Sequence, residues 1–318
     1  MTKSKSFSIK EFLINNNTYI VFLILFCICA GMSDKFLTEM NMRNIALQRA
    51  APICMALGML FVILTGGIDL SVGSVMAFSA SLSAILFTKL GYGLWTSLAI
   101  ALLCSMGFGL VNGILVAYGR MQGFVASLAM MTIARGAAFV ITNGTPIKFK
   151  LGTIDALVKR ENFYPILLIC LLVIVALWVV QHYTLYGRIV IAVGSNRNAV
   201  ELAGIPVRWY LTSVYALSGL LSGMAGIFVA ARSSTGSANI GVAQELDAIA
   251  ACVIGGASLA GGHGFVVKTV VGVLVLALIG NIMNLMAVPS YPQDIIKGVI
   301  IILAVLMQIF TTKSDKTV

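Results

Sequence analysis

The chain has little charge. Only 10% of its 318 residues are Asp, Glu, Lys or Arg, against about a quarter in soluble domains. With 59% hydrophobic residues and a mean hydropathy of +1.01, a water-soluble globular fold is excluded, and the composition is that of an all-α polytopic membrane protein. Histidine is nearly absent. His182 and His263 are too few and too scattered for a metal site. Cysteines 27, 29, 54, 104, 170 and 252 lie in apolar stretches with neither metal-ligand spacing nor a disulfide framework, so they read as small core residues. No Gly-x-x-x-x-Gly-Lys-Ser/Thr loop occurs. The nearest string, GGASLAGGHG (255–264), lacks the lysine that would reach a nucleotide phosphate. No Ser/His/Asp constellation stands out either. The chain therefore reads as no enzyme, with no cofactor or metal of its own, and any active transport would draw on an ion gradient or a partner subunit.

What is abundant is apolar length. A spanning helix needs roughly 20 mostly apolar residues. The expected spans are 18–32, 44–64, 69–88, 94–118, 124–142, 165–181, 209–231, 246–260, 265–287 and 291–310, about ten transmembrane helices. The basic start, MTKSKSFSIK, leads into the first apolar run without a small-residue cleavage site, so it reads as an uncleaved helix. The expected division is an N-terminal segment 1–17, a transmembrane domain 18–310 and a tail 311–318. An even number of spans places both termini on one side. Lys3, Lys5, Lys10, Lys313 and Lys316 make that side cytoplasmic. Lys148, Lys150, Lys159 and Arg160 on the 143–164 connection then fall outside and weaken the asymmetry. The net charge of +10 reflects basic segments beside lipid, with no nucleic acid implied.

An inverted internal repeat is faintly legible. IDLSVGSVMAFS (68–79) aligns with LDAIAACVIGGA (246–257), and each is followed by a helix carrying asparagine, GFGLVNG (107–113) and GNIMNL (280–285). Five spans separate the copies, so they would enter the membrane in opposite senses, as in many transporters.

In GGIDLSVGS (66–74) the paired glycines can break a helix and Asp69 can cap the next one. The break is either a helix restart buried in protein or the lining of a solute path, since irregular backbone at membrane depth survives only in those settings. Asn112, Asn281 and Asn284 either bond between helices or bond a passing solute. With Asp69, Ser71 and Phe124 they form the set of substrate-path candidates. Glu245 and Asp247 in QELDAIA read first as capping acids at the outer end of span 246–260, and otherwise as the second repeat's counterpart of Asp69. Asp294 and Lys297, spaced i,i+3, read as a local ion pair or a proton-relay element. Arg135 in MMTIARGAAFV requires a partner or a watery cavity, and the sequence names neither. Gly109-x-x-x-Gly113 and Gly219-x-x-x-Gly223 permit close helix approach without specifying a dimer.

The segment VGSNRNAVELAGIPVRWY (193–210) contains one short helix. Ser195 or Asn196 can start it, and Gly204 with Pro206 would end it. It is either a solvated loop or a helix shaped for a groove on a cytoplasmic partner.

Taken in order, LTGGIDLSVGSVMA (64–77), GLVNGILVAYGRMQGFVASLAMM (109–131), ARGAAFVITNGTPI (134–147), GSNRNAVELAGIPV (194–207), ELDAIAACVIGGASLAGGHG (245–264) and SYPQDIIKGVIIILAVL (290–306) resemble the permease subunits of ribose-type sugar ABC importers. The resemblance covers nearly everything after residue 40. It implies a homodimer of two permease chains in a bacterial inner membrane. A periplasmic sugar-binding protein would dock outside, and an ATPase with two nucleotide-binding halves, using ATP and Mg, would dock inside. It also implies that Ser195, Asn196, Arg197, Asn198, Glu201, Leu202, Gly204 and Pro206 form the ATPase-coupling helix. A monosaccharide, ribose foremost, would cross by alternating access. The alternatives are an ion-coupled secondary transporter using Asp69, Asp294 and Lys297, and a membrane scaffold that moves nothing.

Overall fold

The computed structural model describes residues 16–302 apart from 151, 160–163, 290, 297 and 301. Helices dominate it: α1 (Asn17–Met32), α2 (Glu39–Leu64), α3 (Val72–Thr88), α4 (Leu94–Ala117), α5 (Gly123–Thr142), α6 (Pro165–Tyr183), α7 (Leu185–Ser195), α8 (Arg197–Leu202), α9 (Val207–Ser233), α10 (Gln244–Ile254) and α11 (Val266–Leu285). Six of these, α2, α4, α5, α6, α9 and α11, are long and apolar enough to cross a membrane. Three shorter apolar helices, α1, α3 and α7, accompany them. The chain is a helical polytopic membrane protein. The N-terminal segment, the C-terminal tail and most of the expected last span lie outside the described residues.

α9 is the central element. It packs against α4, α2 and α3, and its 27 residues reach about 40 Å at 1.5 Å per residue. Lipid tails offer no hydrophobic drive between helices, so close packing must come from small residues that let backbones approach. Both Gly-x-x-x-Gly strings serve this one interface. A β-carbon on Gly109 would overlap the Tyr215 carbonyl oxygen, and one on Gly219 would overlap that of Ser105. Buried serines follow the same economy. Ser105 donates to its own helix at the Ala101 carbonyl (2.7 Å), and Ser79 crosses to the Gly223 carbonyl (2.8 Å).

Each end of the bundle has its own apolar cap. At the Ser233 end of α9, a two-residue antiparallel pairing joins β1 (Ile147–Lys148) to β2 (Thr235–Gly236). Phe149, Ile154 and Leu157 pack there against Ala80, Ala84 and Ile227. At the Val207 end, Val200 of α8 inserts among Ala117, Ile189, Val193 and Leu211.

One expected span takes a different form. Residues 246–260 do not form a continuous helix. α10 stops at Ile254, where Gly256 adopts φ +82° and the amide hydrogens of Gly256 and Ala257 turn back to Val253 and Cys252. The chain before α10 is equally irregular. A β-carbon on Gly236 would overlap the Ala80 carbonyl oxygen and one on Gly241 that of Gly73, so residues 236–241 run antiparallel beside α3 as non-helical backbone.

Candidate functional site

The chain break after α2 is built by turn chemistry. Gly66 takes φ +78° and its N–H bonds the Ile63 carbonyl, while the Gly67 N–H reaches back to Val62. Only a residue without a β-carbon enters that left-handed region freely. The chain then turns inward, and Asp69 is 1% exposed.

A buried carboxylate is costly unless hydrogen bonds replace water. Asp69 has four donors. The Ser71 N–H (3.0 Å) and Ser71 Oγ (2.6 Å) meet Oδ1, Ser218 Oγ (2.8 Å) meets Oδ2, and Asn112 Nδ2 stands at 3.5 Å from Oδ1. Asn112 Nδ2 also donates to Ser71 Oγ at 3.1 Å, and among the described residues the Asn112 Oδ1 has no hydrogen-bond partner. Around this cage, Ser127 Oγ accepts the Leu70 N–H (3.0 Å) and donates to the Ile68 carbonyl (3.3 Å). Tyr215 Oη donates to that same carbonyl at 3.4 Å. The cage thus ties the break to α4, α5 and α9, and α3 begins immediately beyond it.

Asp69, Ser71 and Asn112 are therefore brought together. The other path candidates are not. Phe124 is exposed, and its backbone carbonyl accepts from Ser127 Oγ. Asn281 exchanges amide hydrogen bonds with Asn41 (3.1 and 2.8 Å), near the end of α2 remote from the break. Asn284 accepts from Gln293 at 2.9 Å. Ser218, Ser127 and Tyr215 escaped sequence reading because a lone serine or tyrosine on an apolar helix carries no signal beyond its polarity.

Arg135 finds its partner in backbone. Its guanidinium donates to the carbonyls of Ala238 (2.5 Å) and Ile240 (2.6 Å). Those carbonyls belong to the non-helical stretch beside α3, which has no helical ladder of its own. An unsatisfied buried backbone group costs about 1–3 kcal/mol, so the Arg135 guanidinium stabilises the stretch by giving both carbonyls a charged donor. Glu245 sits at the start of α10, and a β-carbon on Gly73 would stand 2.7 Å from its Oε2. The beginnings of α3 and α10 are thus neighbours. Asp247 lines a small pocket with Arg49, Gln244 and Met55. Lys297, the partner expected for Asp294, lies outside the described residues.

The short helix α8 is sharply delimited. Asn196 Oδ1 accepts the Ala199 N–H at 3.0 Å, an N-cap. Gly204 at φ +76° and the Ile205 N–H returning to Val200 close the other end, with Pro206 following. Val200 is buried beneath it, whereas Leu202 is 90% exposed. Arg197 and Glu201 form an exposed i,i+4 pair at 3.0 Å. Ser195 closes α7 with its hydroxyl bonded to Ile191, and Asn198 is exposed.

Residues 41–305 match the family described as branched-chain amino acid transport system / permease component. The chain is 40% identical over 304 residues to the ribose import permease protein RbsC of Escherichia coli K12, covering 94% of each chain. It is 40% identical over 291 residues to the ribose import permease protein RbsC of Bacillus subtilis, covering 89% of each. Against the L-arabinose transport system permease protein AraH of E. coli K12 the identity is 35% over 303 residues, covering 94% of this chain and 92% of the other. No solved structure matches the chain.

Proposed function

The chain belongs to the permease-component family of transport systems, and from that premise we propose that it is the membrane subunit of an ABC importer carrying a monosaccharide, ribose in the first instance. The observation that carries this reading is end-to-end similarity to ribose permeases at 40% identity. The geometry of α8 accords with it. A six-residue helix, capped at both ends and anchored through Val200, holds Leu202 out in solvent, where a partner can bury it.

In this reading two copies of the chain form the path. An ATPase using ATP and Mg docks against 195–206, and a sugar-binding protein delivers cargo on the opposite face. The 195–206 face is cytoplasmic, with both termini, segments 1–17 and 311–318, on that side of the 18–310 domain. The membrane is the bacterial inner membrane, crossed by about ten spans. Alternating access then follows from movement around the break. The adjacent starts of α3 and α10, each preceded by irregular backbone and each associated with an acid, Asp69 and Glu245, support an inverted repeat with interrupted helices at its interface. The Asp69 cage shapes that break. Its donors are already engaged by the carboxylate, so it has little capacity left to grip a sugar.

The test is uptake of radiolabelled D-ribose by proteoliposomes containing the permease, the ATPase and the sugar-binding protein. Flux that requires both ATP hydrolysis and the binding protein is expected. Flux by the permease alone under a proton or sodium gradient would replace this reading with secondary transport, and no flux of any pentose or hexose would remove transport of sugar altogether.

A further inference from the structure

Three segments far apart in sequence meet beside α8. They are the end of α2 with its break (Leu64–Gly66), the end of α7 (Gly194–Ser195), and the 255–265 turn between α10 and α11. The Gly262 N–H donates to the Leu64 carbonyl at 2.9 Å. A β-carbon on Gly194 would overlap that same carbonyl oxygen and stand 2.5 Å from the Gly262 nitrogen. Gly262 itself has φ +73°, and a β-carbon there would overlap Ser195 Oγ. Gly261 closes the group, with a β-carbon that would lie 2.8 Å from the Gly66 nitrogen. The turn is internally fastened by the Ser258 N–H on the His263 carbonyl (2.9 Å). Gln181, buried at the end of α6, clips its far side. Its Nε2 donates to the Gly264 carbonyl (2.7 Å) and its Oε1 accepts the Val266 N–H (2.9 Å).

The junction is therefore mostly backbone against backbone, with Ser195 Oγ and the buried Gln181 amide as its polar side-chain contacts. Close-packed contacts of this kind transmit strain. It has α8 on one side, two residues beyond Ser195, and the Asp69 cage on the other, three residues beyond Gly66. The side chains of the cage continue the connection to Ser218 and Asn112.

We propose that the Gly194–Gly262–Leu64 junction couples α8 to the Asp69 break, so that Gly194, Gly262 and Gln181 are positioning residues for transport. This rests on α8 being the ATPase-docking helix. Coupling is read as a change in uptake per ATP at constant assembly.

The experiment uses the full permease–ATPase–binding-protein complex in proteoliposomes and measures D-ribose uptake per ATP hydrolysed. Gly194→Ala adds one methyl group inside the junction. Gln181→Met removes both side-chain hydrogen bonds to the turn while adding no atom to the junction. In Gln181→Met the ATPase is expected to co-purify and hydrolyse ATP as in wild type, while uptake per ATP falls about tenfold, the scale of 1.4 kcal/mol of coupling. Gly194→Ala, whose methyl group would overlap the Leu64 carbonyl oxygen, is expected to lower the Tm as well as uptake per ATP. Normal uptake per ATP with intact assembly in both variants would overturn the proposal. Loss of folding in both would also overturn it, by assigning the junction a structural role alone. Leu202→Arg separates the two readings. If it leaves ATPase co-purification unchanged, the docking assignment of α8 fails; if it abolishes co-purification while the junction variants couple normally, only the junction proposal fails.

Discussion

Ser218 Oγ donates to Asp69 Oδ2 at 2.8 Å across 149 positions of sequence. That bond fastens the break after α2 to the central helix α9. Both groups are buried, so neither finds water if the other is removed. A hydrogen bond to a charged group contributes about 1.5–3 kcal/mol. Ser218→Ala is accordingly expected to lower the apparent Tm of the detergent-solubilised permease, with a loss of that size. An unchanged Tm would mean that another donor takes the place of Ser218.

Asp69→Asn keeps the shape and removes the charge. The amide nitrogen introduces a donor among groups that already donate, so one hydroxyl must rotate or lose its partner. Assembly with the ATPase is expected to persist, and ribose uptake is expected to fall. Wild-type uptake together with wild-type thermal stability would take Asp69 out of the transport machinery.

Arg135 has a structural role that a charge-conserving substitution can probe. Arg135→Met leaves the Ala238 and Ile240 carbonyls without their donor, and each unpaired buried group costs about 1–3 kcal/mol. Little monodisperse protein is expected on size-exclusion chromatography. Arg135→Lys, with a single ammonium for two carbonyls, is expected to recover part of it. Equal yields for both variants would show that water or lipid headgroups satisfy the stretch.

The α4–α9 contact has no room. Gly109→Ala places a methyl group against the Tyr215 carbonyl, and overpacking of this kind costs about 1–3 kcal/mol. A clear fall in Tm is expected, without any change in the identity of the transported sugar.

Docking at α8 separates from folding. The Arg197–Glu201 pair is exposed on both sides, and such i,i+4 pairs contribute only about 0.3–0.5 kcal/mol. Glu201→Arg should therefore leave the permease folded, as should Gly204→Trp, for which there is open space around the glycine and a backbone strain of roughly 1–2 kcal/mol. Both are expected to reduce ATPase co-purification. Normal complex recovery and normal sugar-stimulated hydrolysis would move the docking surface elsewhere.

The limits of α8 were legible because caps act over three or four residues. Asn196, Gly204 and Pro206 lie within that range of the helix they bound. The break at Gly66–Gly67 was legible for the same reason, since paired glycine before an acid is local turn chemistry. The 246–260 stretch was not. Its composition is apolar enough to span, and nothing in a count of apolar residues distinguishes a continuous helix from one that ends at Ile254.

By itself, then, the amino-acid order determined the membrane class, the positions of the long helices and the local breaks, all of which follow from hydropathy and short-range propensity. The partners of the buried polar groups were decided only in three dimensions. Arg135 meets carbonyls 103 and 105 positions away, and Asp69 meets Ser218 and Asn112 rather than Asn281 or Asn284. Which face of each helix turns toward which neighbour depends on how closely two backbones can approach. That is set by pairs of small residues on different helices, such as Gly109 and Gly219, whose pairing no single stretch of sequence contains.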